Sequence, residues 1–388
     1  MLVKDSYFLS QPHQPFFLLG IVNAVLFMLL FMLSYKGILT PIADTAFLHS
    51  YSFTFLVFLN AFTGFLFTTF PRFNQTEAIA KSYYSEVFYA NLVASLLFAG
   101  GMFGTKLVLL SSMLIAFGAH VFIVYKLFTI YKSARAREKS DSFWILTGMG
   151  FGLLGHLLFF LAFTFTALFN VAVGVSVFLF LLFTAFSVAQ RMIPFFSHSF
   201  AVKPPRFVLT VFVLFIAECF AFVFEIMPLR AAVELLLAGV LLREFLRWQL
   251  HPLQSPAILW VLHLALFWLP AAFLLSGLSS AYAALSDTSF YFLGIHLLLL
   301  GFLLTVLIGF GTRVVLGHSG QPPYADGFTK ALFVMTQIIV FARALVSLDV
   351  AFGWGVSFLF DIAAALWLLL FVLWGGRFFR VLVFGAKR

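Results

Sequence analysis

Cysteine is nearly absent from this chain, with one residue, Cys219, in 388. A single thiol excludes both a disulfide framework and a thiolate metal cluster. Charge is scarce too: Asp, Glu, Lys and Arg make up 10% of the residues, and only 14 are acids. So few ionic groups cannot cover a water-soluble surface, because soluble domains carry about 25% charged residues. Long polar connections are also missing. The longest irregular stretches fall near 71–83, 193–205 and 315–326, and none is large enough for a soluble domain. No small-residue cleavage site follows the first apolar run, so that run is expected to remain as a span rather than to be removed as a signal peptide.

Apolar sequence fills the space. The chain is 63% hydrophobic, contains 57 Phe, and has a mean hydropathy of +1.10. Apolar runs of about 17–25 residues cross a hydrocarbon layer roughly 30 Å thick. Their spacing predicts an all-α, polytopic membrane protein with about twelve transmembrane helices, a single integral membrane domain over 1–388. The expected spans are 15–35, 48–70, 84–103, 105–131, 142–165, 168–192, 206–226, 229–248, 255–278, 288–314, 327–347 and 352–375.

The basic residues orient these spans. Put the termini and the even-numbered connections on one side. That side then holds all of the 23 Lys and Arg except Lys36, Lys106, Arg230 and Arg343. The positive-inside rule places it in the cytoplasm, with both termini. The net charge of +9 is therefore topological. The KSARAREKSD loop (132–141) reads as a lipid-facing anchor, and no nucleic-acid partner is expected.

Ionisable groups in hydrocarbon cost at least ~2.5 kcal/mol each on insertion scales, so each is a candidate site. His49, His120, His156, His263 and His296 fall in or at the edge of spans. His49 opens the second span from outside. His296 is about eight residues into the tenth, roughly 12 Å deep at ~1.5 Å per residue. Neutral imidazole ligates haem iron, and a haem between two helices needs one His from each at compatible depth. Gly294, Gly301 and Gly309 share a face within about 80°, a groove for a flat macrocycle. The alternative is that these glycines pack helices closely and that each His bonds a backbone carbonyl.

His318 follows His296 by a helical distance of ~33 Å, so these two cannot hold one ion. His263 could ligate a metal, relay protons or pair with an acid. Arg191 and Arg313 sit at helix C-termini, where they either snorkel to lipid phosphates or meet an anion such as a haem propionate. Glu218 and Asp361 are expected near the bilayer centre, and Glu225, Arg230 and Glu234 as a cluster at the turn near 226–230.

Three segments recur at four-helix intervals, each a Phe/Leu run with Thr that ends in Arg: GFLFTTFPR (64–72), LFLLFTAFSVAQR (179–191) and GFLLTVLIGFGTR (301–313). The recurrence suggests three arcs of four helices.

With GFLFTTFPRF (64–73), QRMIPFF (190–196), LWVLHLALFWLP (259–270) and the run from His296 through Arg313 to Gly317-His318-Ser319-Gly320, the chain resembles the NnrS family along most of its length. These are haem- and copper-containing bacterial inner-membrane proteins that help cells withstand nitric oxide. The resemblance implies metal ligation by His49, His263, His296 and His318, with Arg191 and Arg313 in support. Haem would sit on His49 and His296, and copper or a second haem near His263 and His318. One departure stands out. His49-Ser50-Tyr51-Ser52 occupies the place where family members often carry His-x-His-Glu, so a site with three ligands from this helix is not expected. The arrangement is also similar, at fold level, to the haem–copper oxidase core. No His lies within 168–192 or 206–226, so an intact binuclear reductase site is not expected. The competing reading is a transporter of a metal or small anion, with a midplane site near His156, Glu218 or Asp361.

Overall fold

The structure is a computed structural model that describes residues 7–252, 254–286 and 288–385. Lys4, Lys387 and Arg388, which enter the charge argument, lie outside these residues. Every regular element among them is helical. The long helices are α1 (His13–Tyr35), α2 (Thr45–Phe73), α3 (Lys81–Gly101), α4 (Lys106–Lys132), α5 (Ser140–Ala162), α6 (Thr166–Phe196), α7 (Phe207–Val223), α8 (Met227–Arg247), α9 (Ala257–Ser286), α10 (Leu293–His318), α11 (Gly327–Phe352) and α12 (Phe358–Phe384). Nine of these are long and apolar enough to cross a membrane. The other three are α7, which is apolar but short, α3, whose Ser, Tyr and Asn residues and Glu86 lower its hydropathy, and α8, which carries charged residues along its length. This is the pattern of a multi-pass membrane protein.

Helix ends follow local chemistry. The Asp44 carboxylate accepts from the backbone N–H groups of Ala46 (2.8 Å) and Phe47 (3.1 Å), which starts α2. Asp326 does the same for α11 through Thr329. Gly353, at φ +66°, takes the left-handed position that ends α11, and α12 begins only at Phe358. Asp361 therefore lies in the first turn of α12, not near the bilayer centre as its sequence position suggested.

Helices α2, α6 and α10 differ from the rest in burial. Their apolar windows are 94%, 94% and 83% buried, against 61% or less in the other six spanning helices. These are the helices that carry the recurring Phe/Leu–Thr–Arg segments. Each also contains a π-helical stretch, at Ser52–Phe58, Val175–Leu182 and Leu297–Leu304, at near-equal intervals along the chain. A π turn widens the ladder by one residue and leaves carbonyls for other donors. The Leu56 carbonyl accepts from the side-chain amides of Asn23 on α1 (2.7 Å) and Asn60 (2.8 Å). On α10 the Thr305 hydroxyl bonds the Leu300 carbonyl five residues back.

The chain divides into two compact units. One comprises 1–176, 311–322 and 371–388, the other 177–310 and 323–370. In the first, α1 packs on α2, α3 on α4, and α4 on α5. In the second, α8 lies along both α7 and α9, while the π stretch of α10 meets α9 and α11. A polar contact runs through each. In the first, Asn23 also donates to the Ser95 hydroxyl (2.8 Å), which bonds the Asn91 carbonyl. In the second, the Trp268 indole donates to Gln337 (2.6 Å), whose amide donates to Thr305 (3.2 Å).

The short turn between α3 and α4 depends on Gly101. A Cβ there would meet the backbone N of Leu109 at 2.8 Å and its Cα at 2.9 Å, atoms that cannot rotate away. Gly100 faces open space. Gly101→Ala is expected to destabilise the protein by about 1–3 kcal/mol, the range for overpacking, while Gly100→Ala stays near wild type. Thermal unfolding of both variants in detergent checks this, and equal midpoints would contradict it.

Candidate functional site

The histidines divide according to what holds their ring nitrogens. On α10, His296 Nδ1 lies 3.0 Å from the Phe292 carbonyl, which can only accept. The proton is thereby placed on Nδ1, and Nε2 keeps its lone pair. Metal-ligating histidines are commonly oriented in this way. His49, on α2, packs against Phe31 (ring centroids 4.1 Å apart) and Phe53 (4.4 Å). It borders a narrow cleft among Phe27, Phe31, Ser34, Leu48, Ser52 and Met102 that has no room for a water-sized body, so a macrocycle on His49 requires these side chains to move.

The glycine face of α10 is not a groove. A Cβ at Gly294 would strike the Ser276 hydroxyl, at Gly301 the Trp268 indole, and at Gly309 the Leu262 side chain. All three neighbours belong to α9, so these glycines allow close helix approach. The alternative reading of the sequence describes them.

His263, on α9, is engaged on both sides. Its Nε2 is 2.7 Å from the Ser197 hydroxyl and its Nδ1 is 3.4 Å from that of Ser255. It is a core imidazole satisfied by two serines. His318 is different. Its Nδ1 lies 3.0 Å from the Val314 carbonyl, while its Nε2 is sealed from solvent with no hydrogen-bond partner among the described residues. Arg191 and Arg313 are half-buried near the C-terminal ends of α6 and α10. Beside Arg313, the Thr312 hydroxyl accepts from the Trp374 indole at 2.9 Å.

Two residues with chemistry escaped the sequence reading. The first is His13, the opening residue of α1 and 3% exposed, whose ring centroid is 4.8 Å from that of His318. It precedes the first expected span, 15–35, and nothing in the local pattern marks it. The second is Tyr51. Its hydroxyl is 2.7 Å from His156 Nε2, and His156 Nδ1 is 3.3 Å from His120 Nδ1. All three side chains are fully buried, with Tyr51 stacked on Phe98 and His156 on Phe55. With Tyr51 donating, His156 carries its proton on Nδ1 and passes a hydrogen bond to His120. The spacing along the chain, 51, 120 and 156, gives no hint of this convergence.

The charged cluster is also rearranged. Glu225 sits exposed in the turn before α8. Its expected place is taken by Glu218: Arg230 Nε lies 3.1 Å from Glu218 Oε1 and 3.3 Å from Glu234 Oε1. Ser276 and Ser280 on α9 donate to the two oxygens of Glu234, the second at 2.7 Å. Both carboxyls are fully buried, and Glu218 Oε2 has no partner among the described residues. Two acids share one guanidinium, so removing the cation is far costlier than neutralising an acid. Arg230→Met is expected to cost about 3–5 kcal/mol, and Glu218→Gln much less. Unfolding midpoints in detergent check this, and the reverse order would refute the arrangement.

Among the described residues no group of three or more His, Cys, Asp or Glu is placed to hold a metal ion. Residues 7–384 match the family model described as NnrS protein, nearly the whole chain. No curated protein matches it.

Proposed function

The chain belongs to the NnrS family, and from that premise we propose a haem-binding inner-membrane protein of the response to nitric oxide and nitrosative stress. In this reading the twelve helices all span the bilayer with both termini in the cytoplasm, in an arrangement like the haem–copper oxidase core. His296 and His49 are the axial ligand candidates, and Arg191 and Arg313 are cations for the propionates. The observation that carries the proposal is the hydrogen bond from His296 Nδ1 to the Phe292 carbonyl, which fixes the ring's tautomer and orientation in the way common to metal-ligating histidines. That donor set fits axial ligation of haem. The face of α10 bearing Gly294, Gly301 and Gly309 does not fit the macrocycle, because α9 fills it.

Bound haem would supply an iron centre able to bind nitric oxide or to carry an electron. The protein's own part is to hold an imidazole in the correct tautomer. Of the two ligands that the resemblance offers to copper, His318 keeps a nitrogen with no hydrogen-bond partner among the described residues, whereas both nitrogens of His263 are held by serines, which speaks against His263.

Protein purified from cells grown with iron and copper is expected to show a Soret band that shifts with nitric oxide. His296→Ala abolishes the band, while His263→Ala leaves it. A colourless, haem-free preparation would overturn the reading.

A second reading, transport of a metal or small anion, draws on the buried Glu218–Arg230–Glu234 group, whose two acids outnumber its one cation. It predicts substrate-dependent uptake into vesicles that contain no haem.

A further inference from the structure

The group that the haem reading leaves unused is the buried ionic cluster of α7, α8 and α9. Glu218 stands in the last two turns of α7 and Glu234 in the first two of α8, and both side chains are fully buried. Arg230 Nε meets one oxygen of each. Among the described residues, the charged groups that act on Glu218 are Glu234 and Arg230. With both acids ionised, two carboxylates against one guanidinium leave one negative charge uncompensated in a low-dielectric interior.

The surrounding groups do not balance it. Ser276 and Ser280 of α9 are neutral donors, and Cys219, next along α7, is a buried thiol. Phe222 lies over the guanidinium, its ring centroid 5.3 Å from Arg230 Cζ. Gly294 of α10 covers Ser276 and Arg230 and brings no side chain of its own.

Two observations say what completes the cluster. First, the carboxyls of Glu218 and Glu234 lie within hydrogen-bonding reach of one another. A carboxylate has no hydrogen to donate, so this contact is repulsive until one of the two is protonated, when it becomes an acid–carboxylate hydrogen bond. Second, Glu218 Oε2 is sealed from solvent and has no hydrogen-bond partner among the described residues. An ionised oxygen would carry charge there with no donor facing it, which is far costlier than a neutral carboxyl.

We propose that Glu218 and Glu234 bind one proton between them, forming a proton site inside the helix bundle. The donors decide where it rests. Glu234 accepts from Ser276, Ser280 and Arg230, which favours its ionised form, whereas Glu218 accepts from Arg230 on Oε1. The proton therefore rests on Glu218, and the pair titrates as a unit. A hard metal cation is a poorer fit, because such ions take about six or more oxygen ligands and the guanidinium already engages an oxygen of each carboxyl. The Arg230 side chain is 15% exposed and gives the pair its contact with solvent. Gain or loss of this proton changes the charge of the cluster by one unit, as a proton-transfer site in a membrane requires. The inference goes beyond both readings of function and depends on neither.

The test is infrared spectroscopy of the purified full-length protein in detergent at neutral pH. Wild type is expected to show the carbonyl stretch of a protonated carboxylic acid, and the band is expected to move to lower frequency in D2O. Glu218→Gln and Glu234→Gln each leave one carboxylate against one guanidinium, so each is expected to lose the band. Glu86→Gln, at an exposed position on α3, is expected to keep it. Sodium or calcium chloride added at constant pH is expected to leave it unchanged. Absence of the band in wild type, a readout that needs no variant to fold, would overturn the site. So would a band unmoved by D2O, or one retained in full by either Gln variant. Loss of the band on addition of sodium or calcium would assign the place to a metal cation and refute the proton.

Discussion

In hydrocarbon no water is available to complete a hydrogen bond, so each polar group that this chain buries must be answered from within the protein. That requirement explains the helical backbone, and then the pairing of the side chains. Asn23 reaches a carbonyl freed by the π stretch of α2, Trp268 and Gln337 join α9, α11 and α10, and Arg230 is divided between two acids. A helix bearing such a group cannot rotate or slide without stranding it, and close glycine contacts such as those of Gly101 and Gly301 add a steric lock. Shape and polarity therefore specify the same helix register.

The same rule sorts the imidazoles. A histidine with both nitrogens answered, as His263 is by Ser197 and Ser255, has no lone pair to offer. A histidine with Nδ1 tied to a carbonyl, as in His296 and His318, is held in one tautomer and orientation, and the Nε2 of His318 has no hydrogen-bond partner among the described residues. Residue type alone made His263 and His318 equivalent candidates, and only their partners tell them apart.

Most of the helical pattern was legible in the sequence because apolar run length is a one-dimensional signal. All twelve expected spans have a helical counterpart, with most ends shifted by a few residues and the end of α9 carried from 278 to Ser286. The larger shift at α12 arises where Gly353 and the loop after it delay the helix, and it moved Asp361 to a terminus. The recurrence in α2, α6 and α10 was visible as composition, but their burial and π stretches were not, since Phe and Leu serve lipid-facing and core surfaces alike. The site was legible only as a set of residue types. Glu218 could not be preferred to Glu225 without knowing that α7 turns it toward Arg230, and nothing in the order of residues 51, 120 and 156 announces that they meet.

The π stretches carry an angular consequence. Each holds one residue more than an α-helix would over the same rise, so everything beyond it is turned by about 100° around the helix axis. On α2 the stretch separates His49 from Arg72, and on α10 it separates His296 from Arg313 and His318. The face offered near one end of these helices is thus decoupled from the face offered near the other. Shortening a stretch by one residue would return it to α geometry and swing one end relative to the other, while the helix itself stayed intact.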